Sequence, residues 1–299
     1  MKLKTWMGLV VCNLIWAAHP LMGKILLEEF SPSQTAWLRY FSAFLFYAFL
    51  TAFRSKQSLF VWPDRTQDRG LLLLLAFMAF SYTPLLQMVG LGGSLATENS
   101  IIIAMEPLIT VGMAWIILGE SLSSFDVMGL SLALLGFVFL SGVTGQSFVV
   151  GNLWLLLSML GEACFSVLGK KLTRKYSPGS IFGTALGVGV LILTVTLSAG
   201  GHLNSLFTWS HFTKRVIFAL CWIGPLGTGA TYLFALTALA EISVFNMAVL
   251  LFLQPVVGTA LGFFLLGERM TALQSFGSGL ILLAVLLPSA LRLKKWSIH

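Results

Sequence analysis

The sequence predicts an all-α integral membrane protein with ten transmembrane helices, laid out as two inverted-topology five-helix repeats. Three observations predict it. Hydrophobic residues make up 57% of the 299 residues and charged residues only 10%, with a mean hydropathy of +0.91. An ordinary soluble domain carries about 25% charge, so too little polar surface is present to coat a soluble particle. The apolar residues fall in long runs, and one phrase is written twice: EPLITVGMAWIILGE ends at Glu120 and QPVVGTALGFFLLGE ends at Glu268.

Apolar runs of about 18 or more residues cross roughly 30 Å of hydrocarbon as helix, and lipid leaves the backbone of such runs no other partner than itself. The spans are expected at 5–23, 34–53, 70–90, 95–118, 125–143, 149–169, 180–199, 215–237, 243–266 and 272–291. The first follows Lys2 and Lys4 as a signal peptide would. It lacks a clear small-residue cleavage site, however, and carries His19-Pro20 near its end, so it reads as a retained helix. The second opens after Ser31-Pro32 and contains Arg39; the third contains Tyr82; the fourth contains Glu98 and Glu106-Pro107. The sixth carries Glu162, the eighth carries GPLGTG (Gly224–Gly229) and Tyr232, and the ninth carries Asn246 and Gln254.

The connecting loops sort the basic residues. Alternating the loops between two sides puts 13 Lys and Arg on one side and 4 on the other, with Arg39 left inside a span. Short loops rich in Lys and Arg stay in the cytoplasm, so both termini are expected there, in the cell inner membrane. The net charge of +7 is therefore a topology signal, and nucleic acid is not expected as a partner. The three cysteines, Cys12, Cys164 and Cys221, lie within spans and imply no disulfide framework.

The repeated phrase aligns without a gap over Pro107–Glu120 and Pro255–Glu268, a shift of 148 residues. Earlier in each half the shift is 146, which matches Gly23-Lys24 to Gly169-Lys170 and Ser31-Pro32 to Ser177-Pro178. The halves are read as 1–145 and 146–299, five spans each. An odd number of spans per half makes the halves cross the membrane in opposite senses. That architecture recurs in secondary transporters, with the substrate site near the midplane between the halves. Within the phrase, Pro107 and Pro255 are expected to kink their helices. The matched small residues Thr110/Gly258, Gly112/Ala260 and Ala114/Gly262 are expected to let helices approach closely. Glu120 and Glu268 read as polar residues that end the span and mark the fold.

With these motifs the chain resembles the EamA-type transporters of the drug/metabolite transporter superfamily, over essentially its whole length. The resemblance rests on the fourth span of each half, which carries Pro, a dozen mostly apolar residues and Gly-Glu. It also rests on Trp16, on Arg39 within WLRYFSAFL, and on Glu106-Pro107. It implies ten helices from a duplicated five-helix unit. The second half departs from it: Glu162 stands where a first-span Trp would align, and Gln254 replaces the acid before Pro255. Such transporters differ in cargo, so the resemblance does not name one.

Polar groups inside the membrane are costly, which makes them the first candidates for a substrate site. Glu106 lies roughly 16 Å along the fourth span at about 1.5 Å per residue, near the midplane. Glu98 is about two turns shallower on a similar face, and Glu162 lies roughly 20 Å into the sixth span. Each of these acids can equally be a protonated structural group bonded to a neighbouring helix. Arg39 can snorkel, pair with an acid inside the bundle, or touch substrate. His19 can titrate or bond a facing carbonyl. Trp16, Tyr82 and Tyr232 lie too deep for an interfacial belt and either pack or line a cavity. GPLGTG either frees backbone groups toward a cavity or is a packing kink, and Asn246 and Gln254 bond a zwitterion or other helices.

Several chemistries are set aside. There is no Gly-Lys-Ser/Thr phosphate loop, His19, His202, His211 and His299 are too scattered for a metal cluster, and no serine sits in a nucleophile elbow. No cofactor and no enzymatic activity are expected. The reading is a secondary transporter of small organic metabolites by alternating access, with export of amino acids or related compounds as the cargo the resemblance favours. One alternative is an exporter of cationic drug-like compounds. Another is a lipid-handling or intramembrane scaffold protein. The expected partners are a small-molecule substrate, membrane lipids, and protons or a counter-substrate, in a monomer or homodimer.

Overall fold

The computed structural model describes residues 3–53, 58–93, 103, 105–121, 124–141, 150–201, 206, 211–258, 271–273 and 275–284. Among them no strand occurs, and the helices group into ten stretches. These are α1 (Leu3–Leu27), α2 (Pro32–Ala52), α3 (Thr66–Gly92), α4 (Glu106–Leu118), α5 (Ser124–Ser141), α6 (Val150–Thr173), α7 (Pro178–Ala199), α8 (Lys214–Glu241), α9 (Val244–Gly258) and α10 (Ser275–Ala284). Five of them, α1, α3, α6, α7 and α8, are long and apolar enough to cross a membrane. The chain is thus a multi-pass helical membrane protein. α2 has 21 residues but carries Arg39 and several hydroxyls among its apolar side chains.

Sequence signals explain where the helices begin and stop. α2 starts at a capping box: the Ser31 hydroxyl accepts from the Gln34 backbone N–H, and Gln34 Oε1 accepts from the Ser31 N–H at 2.9 Å. Pro32 follows at a position whose N–H would have no helical partner anyway. Ser177-Pro178 opens α7 in the same way, without the side-chain bond. α4 ends at Gly119, which takes the left-handed conformation at φ 65° that a residue with a Cβ rarely adopts.

The element contacts have the pattern of an exchange of halves. α2 packs on α8 as α7 packs on α3, and α6 packs on α3 and α4 as α1 packs on α8 and α9. α2–α7 and α4–α9 are contacts between equivalent helices. Gly23 of α1 rests on Leu91, and its equivalent Gly169 of α6 rests on Leu236. Polar pairs tie the halves at near-equivalent places too: Lys175 to Asp68 at 2.8 Å, and Arg215 to Glu28 at 2.9 and 3.1 Å. Glu120, at the end of α4, accepts the Val244 backbone N–H at 3.1 Å and so caps α9 of the other half. It is a fold residue, as the sequence suggested; Glu268, its equivalent, lies outside the described residues, as do Glu98, Ala260 and Gly262.

The third helix of each half is wound wide. Met78–Tyr82 in α3 and Trp222–Ala230 in α8 are π-helical. Pro84 and Pro225 each lack the N–H that an ordinary helix would use, and extra width re-satisfies the ladder locally. In α3 the Thr83 N–H reaches back to the Met78 carbonyl, while the Ser81 hydroxyl bonds Gly189 O of α7 at 3.2 Å.

The repeated phrase differs from expectation in where its helices break. Pro107 lies in the first turn of α4, behind a turn at Met105, and Pro255 lies three residues after a turn at Phe252. The break therefore falls two to three residues ahead of each proline, where the residue four back, Ile103 or Leu251, has lost its donor. At Gly112 a Cβ meets nothing within 4 Å among the described residues. Thr110 and Ala114, one turn apart, are the buried face, and Gly112 is rotated away from both. Tight approaches occur elsewhere; a Cβ on Gly151, for one, would stand 2.8 Å from Gly93 and 2.9 Å from the Gly90 carbonyl.

Candidate functional site

The halves enclose a cavity of about 700 Å³, its open mouth included, lined from α1, α2, α3, α4, α6, α8 and α9. Of the sequence candidates, Trp16, His19, Arg39, Glu106, Glu162, Tyr232 and Gln254 all line it. Tyr82 does not; it belongs to the wide turn of α3 and packs beside Phe77 with ring centroids 6.2 Å apart. Asn246 does not either; it is in the first turn of α9, where Ser243 caps its N–H. Glu98 lies outside the described residues.

A polar chain crosses the cavity wall. Arg39, 2% exposed, donates from Nε to Thr228 Oγ1 at 2.9 Å and from Nη1 to Gln87 Oε1 at 3.1 Å. Its Nη2 faces His19 Nδ1 at 3.4 Å. Because arginine only donates, His19 Nδ1 accepts, which leaves the ring proton on Nε2. Gln87 then passes its own N–H to Glu162 Oε1 at 2.9 Å, and Tyr232 OH donates to both Glu162 oxygens at 3.0 and 3.1 Å. Arg39 thus faces inward, with no snorkelling, and the Gln87 amide relays its bond to the acid.

GPLGTG builds part of this wall. The wide turn presents the Gly227 carbonyl to Trp16 Nε1 at 2.9 Å and to Thr231 Oγ1 at 2.6 Å. Thr228 Oγ1 donates to Ile223 O at 2.7 Å and accepts from Arg39. Trp16 stands edge-on to Tyr232 with centroids 5.5 Å apart, and Phe165 lies 4.8 Å from the same ring. Trp16 and Glu162 are repeat equivalents, and Tyr232 touches both. Glu106 and Gln254 are equivalents as well. Gln254 Nε2 donates to Asn13 Oδ1 at 3.2 Å, whereas the Glu106 carboxyl, 8% exposed, makes no hydrogen bond among the described residues.

Gln87, Thr228, Ser166 and Asn13 escaped the sequence reading. Gln87 had a signal, a neutral amide inside an apolar span, and Thr228 lay within a motif already singled out. Among the described residues no group of three potential metal ligands forms.

The fold and cavity define a class: a multi-pass membrane protein of two similar halves around a polar site set among apolar helices. Within that class the chain belongs to the EamA-like transporter family, whose model matches residues 4–142 and again 149–290. It is 23% identical to an uncharacterized transporter of Methanothermobacter thermautotrophicus over 297 residues, covering 94% of this chain and 84% of that one. It is 25% identical over 275 residues to a probable amino-acid metabolite efflux pump of Escherichia coli, covering 90% and 89%. One crystal structure of a protein shares the fold with a TM-score of 0.75 at 17% identity, over 97% of this chain and 98% of that one.

Proposed function

We propose that this protein is a secondary transporter that exports small organic metabolites, amino acids or related compounds, by alternating access across the inner membrane. All ten helical stretches cross the bilayer in this reading, the two halves are inverted, and both termini are cytoplasmic. The observation that carries it is the cavity between the halves, where a buried arginine, two acids and three aromatic rings meet a space open at its mouth. Polar groups this deep are costly and mark substrate paths. The efflux pump among the relatives supports the cargo and the direction. The wide turns of α3 and α8 and the breaks before Pro107 and Pro255 supply places where helices can flex between two arrangements. Nothing in the cavity points to covalent chemistry, and the cargo leaves as it entered.

Comparing the metabolites that accumulate outside cells with and without the protein tests the reading. The expected result is one or a few amino-group-bearing compounds that appear outside only when it is present. Identical external pools on both sides would refute it.

A further inference from the structure

The cavity's hydrogen-bonding inventory is lopsided. Most of its donors are spent on the protein: Trp16 Nε1 on Gly227 O, Tyr232 OH on Glu162, and one N–H of the Gln254 amide on Asn13. Gln87 donates to Glu162, and all three guanidinium nitrogens of Arg39 face protein acceptors. Two donors of the lining, His19 Nε2 against Gly227 and the buried Ser166 hydroxyl, have no partner among the described residues. Arg39 is the sole Lys or Arg among the described lining residues, and at 2% exposure it offers no surface for an anion.

Acceptors, by contrast, remain. Glu106 lines the cavity with no hydrogen bond among the described residues, whereas Glu162 is already bonded twice and joined through Gln87 to the Arg39 charge. A carboxylate brought here would lose its hydration and find few free donors among the described residues, with no exposed cation to balance it. An ammonium would find a free carboxyl and aromatic faces.

We propose that the cargo is a monocationic amine with no free carboxylate, its ammonium held by Glu106 and its apolar body lying against Trp16, Phe165 and Tyr232. It rests on the transport reading above and narrows it: the cargo is an amino-acid derivative whose carboxyl is absent or masked, as in an amine or an amide. Glu162, Gln87 and Arg39 are positioning residues, which keep the second acid balanced so that a single negative charge faces the cargo.

The test uses purified full-length protein and two probe series. One is leucine, leucinamide, isoamylamine and isocaproate; the other is phenylalanine, phenylalaninamide, phenethylamine and hydrocinnamate. Binding is read from thermal stabilisation in detergent, and transport from flux in proteoliposomes. The amines and amides are expected to bind, and the zwitterions and acids to bind at least about tenfold more weakly, the ratio set by one charged hydrogen bond. Glu106→Gln should lose that preference with its own thermal midpoint intact, and Glu106→Asp should keep most of it. Tighter binding of the zwitterions, binding by no member, or an unchanged preference in Glu106→Gln each overturns the inference. Amines that bind selectively without any member being carried would leave the site assignment standing and remove the transport reading. Flux of zwitterions over amines would do the reverse.

Discussion

Arg39→Met removes the guanidinium from the cavity wall and leaves its partners in place. Three contacts go: to Thr228 at 2.9 Å, to Gln87 at 3.1 Å and to His19 at 3.4 Å. Thr228 keeps its bond to Ile223, so the larger loss is electrostatic. Glu162 then faces the low-dielectric interior with only the Tyr232 and Gln87 donors to support it. Removing one member of a buried ionic pair costs about 3–5 kcal/mol, because the other is left uncompensated. The lower end applies here, since the Gln87 amide already separates the two charges. At about 2–4 °C per kcal/mol for a chain of roughly this size, the thermal midpoint should fall by about 6–12 °C. Adding Glu162→Gln removes the stranded charge and keeps an oxygen for Tyr232, so the double variant should recover at least half of that loss. Thermal unfolding of the four proteins in one detergent, followed by circular dichroism, measures the cycle. A midpoint for Arg39→Met within 2 °C of the parent, or a double variant no more stable than Arg39→Met alone, would show that the two groups do not share a network.

Three further outcomes follow from the packing and the site. Glu120→Ala should cost about 1 kcal/mol, the worth of a helix cap, with Glu120→Gln retaining part of it; thermal unfolding reads both. Gly151→Ala should destabilise by about 1–3 kcal/mol through overpacking against the backbone of Gly90 and Gly93, whereas Gly112→Ala, whose Cβ meets nothing among the described residues, should be neutral or stabilising by about 0.5–1 kcal/mol. Phenethylamine stays cationic on acidification, so its affinity should weaken as the Glu106 carboxylate takes up a proton and no longer balances the ammonium. Glu162, Arg39, His19 and Tyr232 face the same cavity. A flat pH profile in Glu106→Gln assigns the effect to Glu106, and an unchanged profile assigns it to one of them.

Composition and repetition by themselves determined the class and the plan of this protein. A chain with so little charge has no soluble option, lipid forces its long apolar runs into helix, and the twofold phrase requires two like units. Local chemistry was legible for the same reason: Ser-Pro at a helix start, Gly at its end and Pro inside a span act on the backbone within one turn. Which polar residues meet was not legible, since that depends on how each helix is rotated about its axis and on how closely its neighbours approach. Tyr82 and Tyr232 look alike in sequence, yet only Tyr232 turns into the cavity. Arg39 could have reached the headgroups, and the wide turn of α8 instead places Thr228 where it holds the guanidinium inward. Glu106 and Gln254 occupy equivalent places, but packing supplies Asn13 to the amide and, among the described residues, no hydrogen-bond partner to the acid. Only the tertiary structure decided that asymmetry, because a hydrogen bond between helices is fixed by where two rigid rods pack and by no pattern along either one.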